Sequence, residues 1–560
     1  MRATQASGNL HVHAVAGTYV VSLGFHVPKV ACNGLLGFSV HRTDHTKDEA
    51  AWLKGTKVFE ETDPGFPPGS QYSTQDHPIQ SFQWADYSAK PGHHYTYRVC
   101  ARKGTPRALT TADEVTVDIR TEGVEDGNHD IYFNRGISAS QEYARRFGTQ
   151  RPDKKQDDVI GDPIYAWLSR GLYEALVAFI EDCVPGRDAL RIAAYEFAFA
   201  PLLKVIKGAV DRGVDVKISY DGRAKKNGNP GKDNREAVQA VGLSAVCTER
   251  TRPKSVISHN KFIVKLTDSV AVAVWTGGTN FSRSGIFGHS NVAHVIEEAA
   301  VAAKYLDYWT ALNDDPDDAT LTAVVETLTP LPPALPVKGT TPIFSPRRTE
   351  AALKGYADLA MRARDGLMMT FAFGMNDVFK EVYRTSPAPF RLALFEQATR
   401  PMKDGPEKEA ERARIQALRN MPENVFAIGS LIAITALDGW VKEQLSRLST
   451  NVQYVHNKFM LIDPLGSDPI VVTGSANFSK ASTLDNDENM VVVRGNERVA
   501  DIYLGEFIRL WSHHAFRESR GFSSADRKVR LLKLDDWWAD AFGSTERASR
   551  RRFFANVASD

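Results

Sequence analysis

Two short stretches of the 560-residue sequence carry residue types suited to nucleophilic and acid–base chemistry, and both occur twice. Around His259 the chain reads HNKFIVKL, and around His456 it reads HNKFMLID. Downstream, GGTNFS spans Gly277 to Ser282 and GSANFS spans Gly474 to Ser479, and both pairs of stretches are offset by 197 residues. An imidazole can attack an electrophile or carry a proton, while an ammonium and a carboxamide stabilise developing negative charge. A lone histidine is ordinarily a satisfied core or surface side chain. A His-x-Lys pair followed by a Gly-x-x-Asn turn, repeated at one spacing, is a candidate site. Its candidate catalytic residues are His259, Lys261 and Asn280 in one copy and His456, Lys458 and Asn477 in the other, with Gly277, Gly278, Gly474 and Ser475 as substrate-binding positions.

These residues need strands to hold them. Each His-x-Lys pair opens an apolar run, Phe262-Ile263-Val264 or Phe459-Met460-Leu461-Ile462, and alternation along a strand puts residues i and i+2 on one face. A second strand, Val270 to Trp275 or Ile470 to Thr473, then delivers the glycine turn and its asparagine. Further on, Asn291 faces Asn489 and Val301-Ala302-x-x-Tyr305-Leu306 faces Val499-Ala500-x-x-Tyr503-Leu504 at an offset of 198, so one residue is inserted after Ser479. The chain therefore holds two copies of a unit of about 200 residues.

Each copy reads as α/β. Leu190 to Phe197, a helical pattern through Leu203, Ile206 and Val210, and Val214 to Tyr220 give strand, helix, strand, which implies parallel pairing. Leu367 to Phe373, a helix near Val378 and Phe390 to Phe395 repeat that order, and proline-rich Leu328 to Ser345 reads as a linker between the copies. Residues 1 to 122 read as all-β, with alternating runs at Tyr19 to Leu23, Leu36 to Val40 and Tyr95 to Val99. Within them Phe82 to Val99 sets strand, Pro-Gly turn and strand in close order, which resembles an aromatic-rich hairpin of a fibronectin type III or immunoglobulin-like sandwich. The expected domains are thus a sandwich over 1–122, a first half over 123–335, and a second half with a C-terminal extension over 336–560.

His456-x-Lys458-x-x-x-x-Asp463, with Gly474-Ser475-x-Asn477 and Glu488-Asn489, resembles the HKD signature of the phospholipase D superfamily. The first copy matches through His259, Lys261, Gly277, Gly278 and Asn280, but Leu266 stands where the aspartate belongs, Asp268 falls two residues late, and Ser290 takes the place of Glu488. The resemblance implies two similar α/β halves, mixed sheets flanked by helices, packed face to face around one active site that a single chain completes. It also implies phosphodiester cleavage: one histidine forms a covalent phosphohistidine, the other is the acid and base, and the lysines and asparagines hold the non-bridging oxygens. His259 is then the nucleophile and His456 the acid/base, with Glu488 near His456 favouring its protonated form. Asp463 reads equally well as catalytic or as a strand-end carboxylate holding a loop. The absence of HExxH, of a clustered carboxylate set and of metal-ligand Cys/His spacing predicts chemistry without a metal or other cofactor.

Composition narrows the surroundings. Lys plus Arg number 69 against 68 Asp plus Glu, a net charge of +1, without the basic excess of a non-specific nucleic-acid binder. A phospholipid substrate at a membrane surface is the favoured reading, with Val425 to Leu437 either an acyl-pocket wall or a core strand. Nucleic acid is the second reading, on the basic loop residues Arg223, Lys225, Lys226, Lys232 and Arg235, on Arg250, Arg252 and Lys254, and on Arg550 to Arg552. A binding protein with an inactive core is the third. No apolar run is long enough to span a bilayer, and no basic segment followed by an apolar core opens the chain, so a soluble protein is expected with its compartment open, cytoplasmic, or secreted if numbering starts from a mature form. Cys32, Cys100, Cys183 and Cys247 form no CxxC pair; Cys32 and Cys100 are the pair that could meet.

Overall fold

The computed structural model describes residues 1–157, 159–223, 230–251, 257–332, 335–431, 441–448, 452–520 and 531–558. The N-terminal region is all-β: β1 (Arg2–Ser7), β2 (Leu10–Ala16), β3 (Val21–His26), β4 (Gly37–Asp44), β5 (Glu49–Trp52), β6 (Lys54–Gly55), β7 (Tyr72–Ser73), β8 (Gln83–Asp86), β9 (His94–Thr105) and β10 (Ala108–Arg120). Two antiparallel sheets, β1-β2-β3-β8 and β10-β9-β4-β5, enclose Leu23, Phe25, Phe38, Tyr95 and Tyr97. The Phe82 to Val99 segment is not a hairpin, because β8 belongs to the first sheet and β9 to the second. It is a crossover, and the Tyr95 hydroxyl accepts the Lys90 amide at 2.9 Å, the tyrosine-corner contact that pins such crossovers.

The repeat is explicit in the topology. The first copy supplies β11 (His129–Phe133), β12 (Asp188–Ala194), β13 (Asp215–Asp221), β14 (Cys247–Arg250), β15 (Lys261–Thr267), β16 (Val270–Gly277) and β17 (Val292–Ile296). The second supplies β18 (Gly339–Ser345), β19 (Leu367–Phe371), β20 (Arg391–Phe395), β21 (Asn424–Ile428), β22 (Phe459–Ile462), β23 (Ile470–Gly474) and β24 (Glu488–Arg494). Their orders, β11-β17-β16-β15-β12-β13-β14 and β18-β24-β23-β22-β19-β20-β21, correspond strand for strand. In each sheet the strand, helix, strand units give the parallel pairs, the hairpins β15-β16 and β22-β23 are antiparallel, and so are β12-β15, β19-β22, β11-β17 and β18-β24, which pair strands that are not consecutive.

The stretch read as linker ends in a strand: β18 covers Gly339–Ser345 and pairs with β24. It tolerates Pro342 because it is an edge strand with one side of its backbone unpaired. Apolar clusters close the seam between the halves, Phe262, Tyr305, Phe344 and Val491 in one and Phe133, Val292, Phe459 and Tyr503 in another. The C-terminal residues leave the second half and return to the sandwich. Trp537 stacks on Phe82 at 5.3 Å and donates to the Leu35 carbonyl, and the helix Glu546–Ala555 packs on β3. Among the described residues no disulfide forms and no helix is long and apolar enough to cross a membrane.

Candidate active site

Each His-x-Lys pair sits where its strand begins, and the backbone of the opposite half fixes it there. The His259 amide donates to the Asp487 carbonyl at 3.0 Å, and the His456 amide donates to the Ser290 carbonyl at 3.1 Å. Both histidines and both lysines are at least 95% buried. His456 feels the charges of Lys458, Lys261 and His259, and His259 feels those of Lys261 and Lys458, so the two motif sets share one site.

The partners of the two rings differ. His259 Nδ1 donates to Glu488 Oε2 at 2.8 Å. Glu488 is thus the partner of the opposite half's histidine, which corrects the expectation that it lies beside His456. The exchange follows from the face-to-face packing, which brings the start of β24 against the start of β15. His456 instead meets Asn291. The Asn291 amide nitrogen donates to the Gly285 carbonyl at 2.7 Å, which turns its oxygen toward His456 Nδ1 at 3.0 Å. That oxygen can only accept, so Nδ1 of His456 carries the proton. In both rings Nε2 is left as the atom available to a substrate.

Burial sets the charge states. It lowers His259 to about 4 despite the neighbouring carboxylate, and it lowers Lys261 to about 7. His456 and Lys458 fall well below their ordinary values, by burial first and then by the neighbouring cations. Burial alone would raise Glu488, but His259, Lys261 and Ser475 hold it below the usual carboxylate value. Burial thus loosens the hold of both histidines and both lysines on their protons, and a neighbouring anion would strengthen it. The lysine ammonium groups rest on the carbonyls of His259 and, at 2.7 Å, His456.

The turn residues divide into two kinds. A Cβ on Gly277 would sit 2.5 Å from the Val292 carbonyl oxygen, and one on Gly474 would sit 2.2 Å from that of Asn489, so both glycines let adjacent strands approach closely. Gly278 lies against Asn291, Gly474 and His456. Ser475 Oγ donates to Glu488 Oε2 at 2.6 Å and orients it. Asn280 and Asn477 are matched: in each, the buried amide oxygen has no hydrogen-bond partner among the described residues.

Asp463 takes no part in the reacting cluster. Its Oδ1 accepts the amides of Arg364, Asp365 and Gly366 at 3.0, 2.8 and 3.0 Å, so it is the loop-holding carboxylate of the two alternatives. Asp268 is its counterpart in the first copy. The Asp268 amide donates to the Arg187 carbonyl just before β12, as the Asp463 amide donates to the Gly366 carbonyl just before β19. The aspartate falls two residues late because β15 is longer than β22.

Four neighbours escaped the sequence reading as site residues. Tyr195 places its ring 4.9 Å from that of His259 and 5.3 Å from the Lys261 ammonium. Asn291 orients His456, the His289 ring lies 4.7 Å from it, and Phe373 packs edge-on to it at 6.4 Å. The offset that paired Asn291 with Asn489 was the available signal for Asn291. Among the described residues the side chains close enough to share a metal ion are His45, His94 and Asp118, on the sandwich and not at this site.

A family model described as "Cardiolipin synthase, PLD-like domain" matches residues 180–312 and 427–511. No curated protein matches the chain. Among solved structures, the chain is similar to Nuc of Salmonella typhimurium, a phospholipase D family member, with 26% identity, covering 26% of this chain and 87% of that one at a TM-score of 0.22. Phosphatidylserine synthase of Haemophilus influenzae Rd KW20 matches with 11% identity, covering 72% of this chain and 95% of that one at 0.43. Yeast tyrosyl-DNA phosphodiesterase matches with 13% identity, covering 56% and 84% at 0.33. The family match runs through both repeats and both motif sets, which places these two segments in the phospholipase D superfamily.

Proposed function

We propose that this protein is a phosphodiesterase that cleaves phospholipid head groups through a phosphohistidine on His259. The observation that carries the reading is the unequal pair of Nδ1 partners, Glu488 for His259 and Asn291 for His456. The Nε2 lone pair of His259 attacks phosphorus, the bond to the leaving oxygen breaks, and Glu488 stabilises the imidazolium that forms. His456, protonated as the anionic substrate enters, gives its Nε2 proton to the leaving oxygen. Water then attacks phosphorus, His456 Nε2 takes up its proton, and the bond to His259 breaks. Lys261, Lys458, Asn280 and Asn477 hold the non-bridging oxygens. The chain's own cations thus supply the charge stabilisation that a metal supplies elsewhere.

Two features favour lipid over nucleic acid. Most of the described basic residues that suggested a phosphate track are committed: Arg223 to Asp221, Arg235 to Glu249, Lys232 to Glu236, and Arg250 to Asp487 and Asp315. Lys225, Lys226, Arg252 and Lys254 lie outside the described residues. Of the C-terminal arginines, Arg550 pairs with Glu546, Arg551 is buried on the Ala541 carbonyl, and Arg552 holds the Gly543 carbonyl. The second feature is Phe373, 38% exposed beside His456, an apolar lip next to the phosphate position. Of the Val425 to Leu437 run, residues 425–428 belong to strand β21 and residues 432–437 lie outside the described residues. The fibronectin type III-like sandwich serves as a spacer or docking unit.

The test is an assay in EDTA of the purified protein with phosphatidylcholine vesicles and, separately, with single- and double-stranded DNA. Choline release without nicking is expected. Nicking alone overturns the substrate, and inactivity on every diester, with no label trapped on histidine, overturns the reading as a whole.

A further inference from the structure

Away from the catalytic cluster, a cavity of about 750 Å³ opens where the sandwich, the first half and the helix Glu497–Arg520 meet. Its charge is lopsided. Eight lining side chains are basic and two, Asp86 and Glu142, are acidic. Both acids are already engaged, Asp86 with Arg42 at 2.7 Å and Glu142 with Arg145 and Arg146 at 2.9 and 2.6 Å. Deeper in, Arg170 and Arg509 share the single carboxylate of Glu506, and Arg517 is taken by Glu443.

Three cations remain, Lys54, Arg135 and Lys90. Arg135 donates to the Trp167 carbonyl at 2.8 Å and lies 4.8 Å over the Trp167 ring, and among the described residues it forms no ion pair. Burial, then Arg170 and Arg509, bring it down to about 9. Lys90, exposed at the mouth, likewise has no ion pair among the described residues, and it is lowered by burial and then by Arg135. A fold rarely keeps like charges together around an open cavity without a counter-charge. We propose that this cavity is an anion-binding site for a phosphate monoester. Such a group carries a charge near −2 at neutral pH. It offsets most of the charge of the three uncompensated cations, and its oxygens suit a guanidinium fork. The site stands apart from the catalytic histidines and does not depend on the choice of diester substrate.

Calorimetric titration tests it in two arms, soluble glycerol 3-phosphate and phosphatidic acid in phosphatidylcholine vesicles, using the full chain carrying Lys261→Met and Lys458→Met to silence anion binding at the catalytic site. Binding is expected to persist in this background and to weaken at least tenfold on adding Lys90→Ala or Arg135→Gln (an order of magnitude being the loss of one charge-assisted contact). In the otherwise wild-type chain, Lys90→Ala should leave turnover of a small soluble diester unchanged. Binding in the soluble arm identifies a free monoester as ligand, and binding to vesicles alone identifies a lipid head group. No binding in either arm, or binding that Lys90→Ala and Arg135→Gln leave untouched, overturns the proposal.

Discussion

His259 and Glu488 stand 229 residues apart, in different copies of the repeat, and their side chains form one hydrogen-bonded pair at 2.8 Å. The histidine proposed as nucleophile in one half is therefore oriented by the other. Glu488→Gln keeps the shape and removes the charge that steadies a developing imidazolium. The expected fall in kcat is about 10² to 10⁴, comparable to losing the orienting carboxylate of a catalytic triad. Rapid-quench measurement should place the loss in formation of the phosphoenzyme, with KM little changed. Wild-type rates of phosphoenzyme formation would remove Glu488 from the mechanism.

Roles separate by leaving group. A nitrophenolate departs without a proton, whereas an alkoxide needs one. His456→Ala should therefore still form phosphoenzyme from a nitrophenyl phosphodiester and fail with an alkyl ester. His259→Ala should form none from either. The reverse pattern would exchange the two assignments.

The pH profile of kcat/KM follows from the free site. His259 attacks only when neutral and is lowered to about 4 by burial, so activity falls as pH drops through that value. Lys261 holds an anion only when protonated and is lowered to about 7, and the proposed acid His456 is lowered as well, so activity also falls as pH rises, no later than through that value. Glu488 raises His259 and Lys261, so Glu488→Gln should move the acid limb, and the part of the alkaline limb that Lys261 sets, to lower pH. Limbs that stay in place would show that other groups control the profile.

Lys458 trades stability for function. Burial and Lys261 depress it well below the ordinary lysine value of 10.5, so the unfolded chain binds the proton more tightly. Stability attributable to this group is therefore withheld at neutral pH and recovers as pH rises toward 10.5. Lys458→Met should abolish turnover while raising unfolding free energy at pH 7 by about 0.5 to 2 kcal/mol. Denaturant titration should show the gain shrinking at high pH. A loss of stability at pH 7 would contradict the buried-cation account.

What the sequence made legible was local or repeated. His-x-Lys alternation is a property of a single strand, and the 197-residue offset carried it from one sheet to the other. Glu488 could be named but not partnered, because its pairing depends on how two sheets face each other and no spacing encodes that. Phe373 was invisible for a related reason. Ile192 pairs with Ile263 and Met369 with Met460, so four residues beyond each, Glu196 and Phe373 hold equivalent places with unlike side chains. Self-similarity finds what the two copies share and misses what makes the two walls of the site different. Trp537 escaped likewise, since its packing on the sandwich crosses almost the whole chain.

Asp463 offers the sharpest separation of motif membership from chemistry. Its carboxylate accepts three successive amides, and Asp268 ends the equivalent strand in the first copy with the same backbone contact. Asp463→Asn leaves one acceptor oxygen and no charge for those amides, and should cost about 1 to 3 kcal/mol of stability, the range for charge-assisted hydrogen bonds. Below the melting transition, kcat and the pH profile should match wild type, because no reacting atom touches the residue. A large drop in kcat with unaltered stability would return Asp463 to the catalytic set. The physical reason to expect otherwise is that Leu266 stands at the matching sequence position, buried in the core that backs the site, while His259, Lys261 and Asn280 keep their places around it.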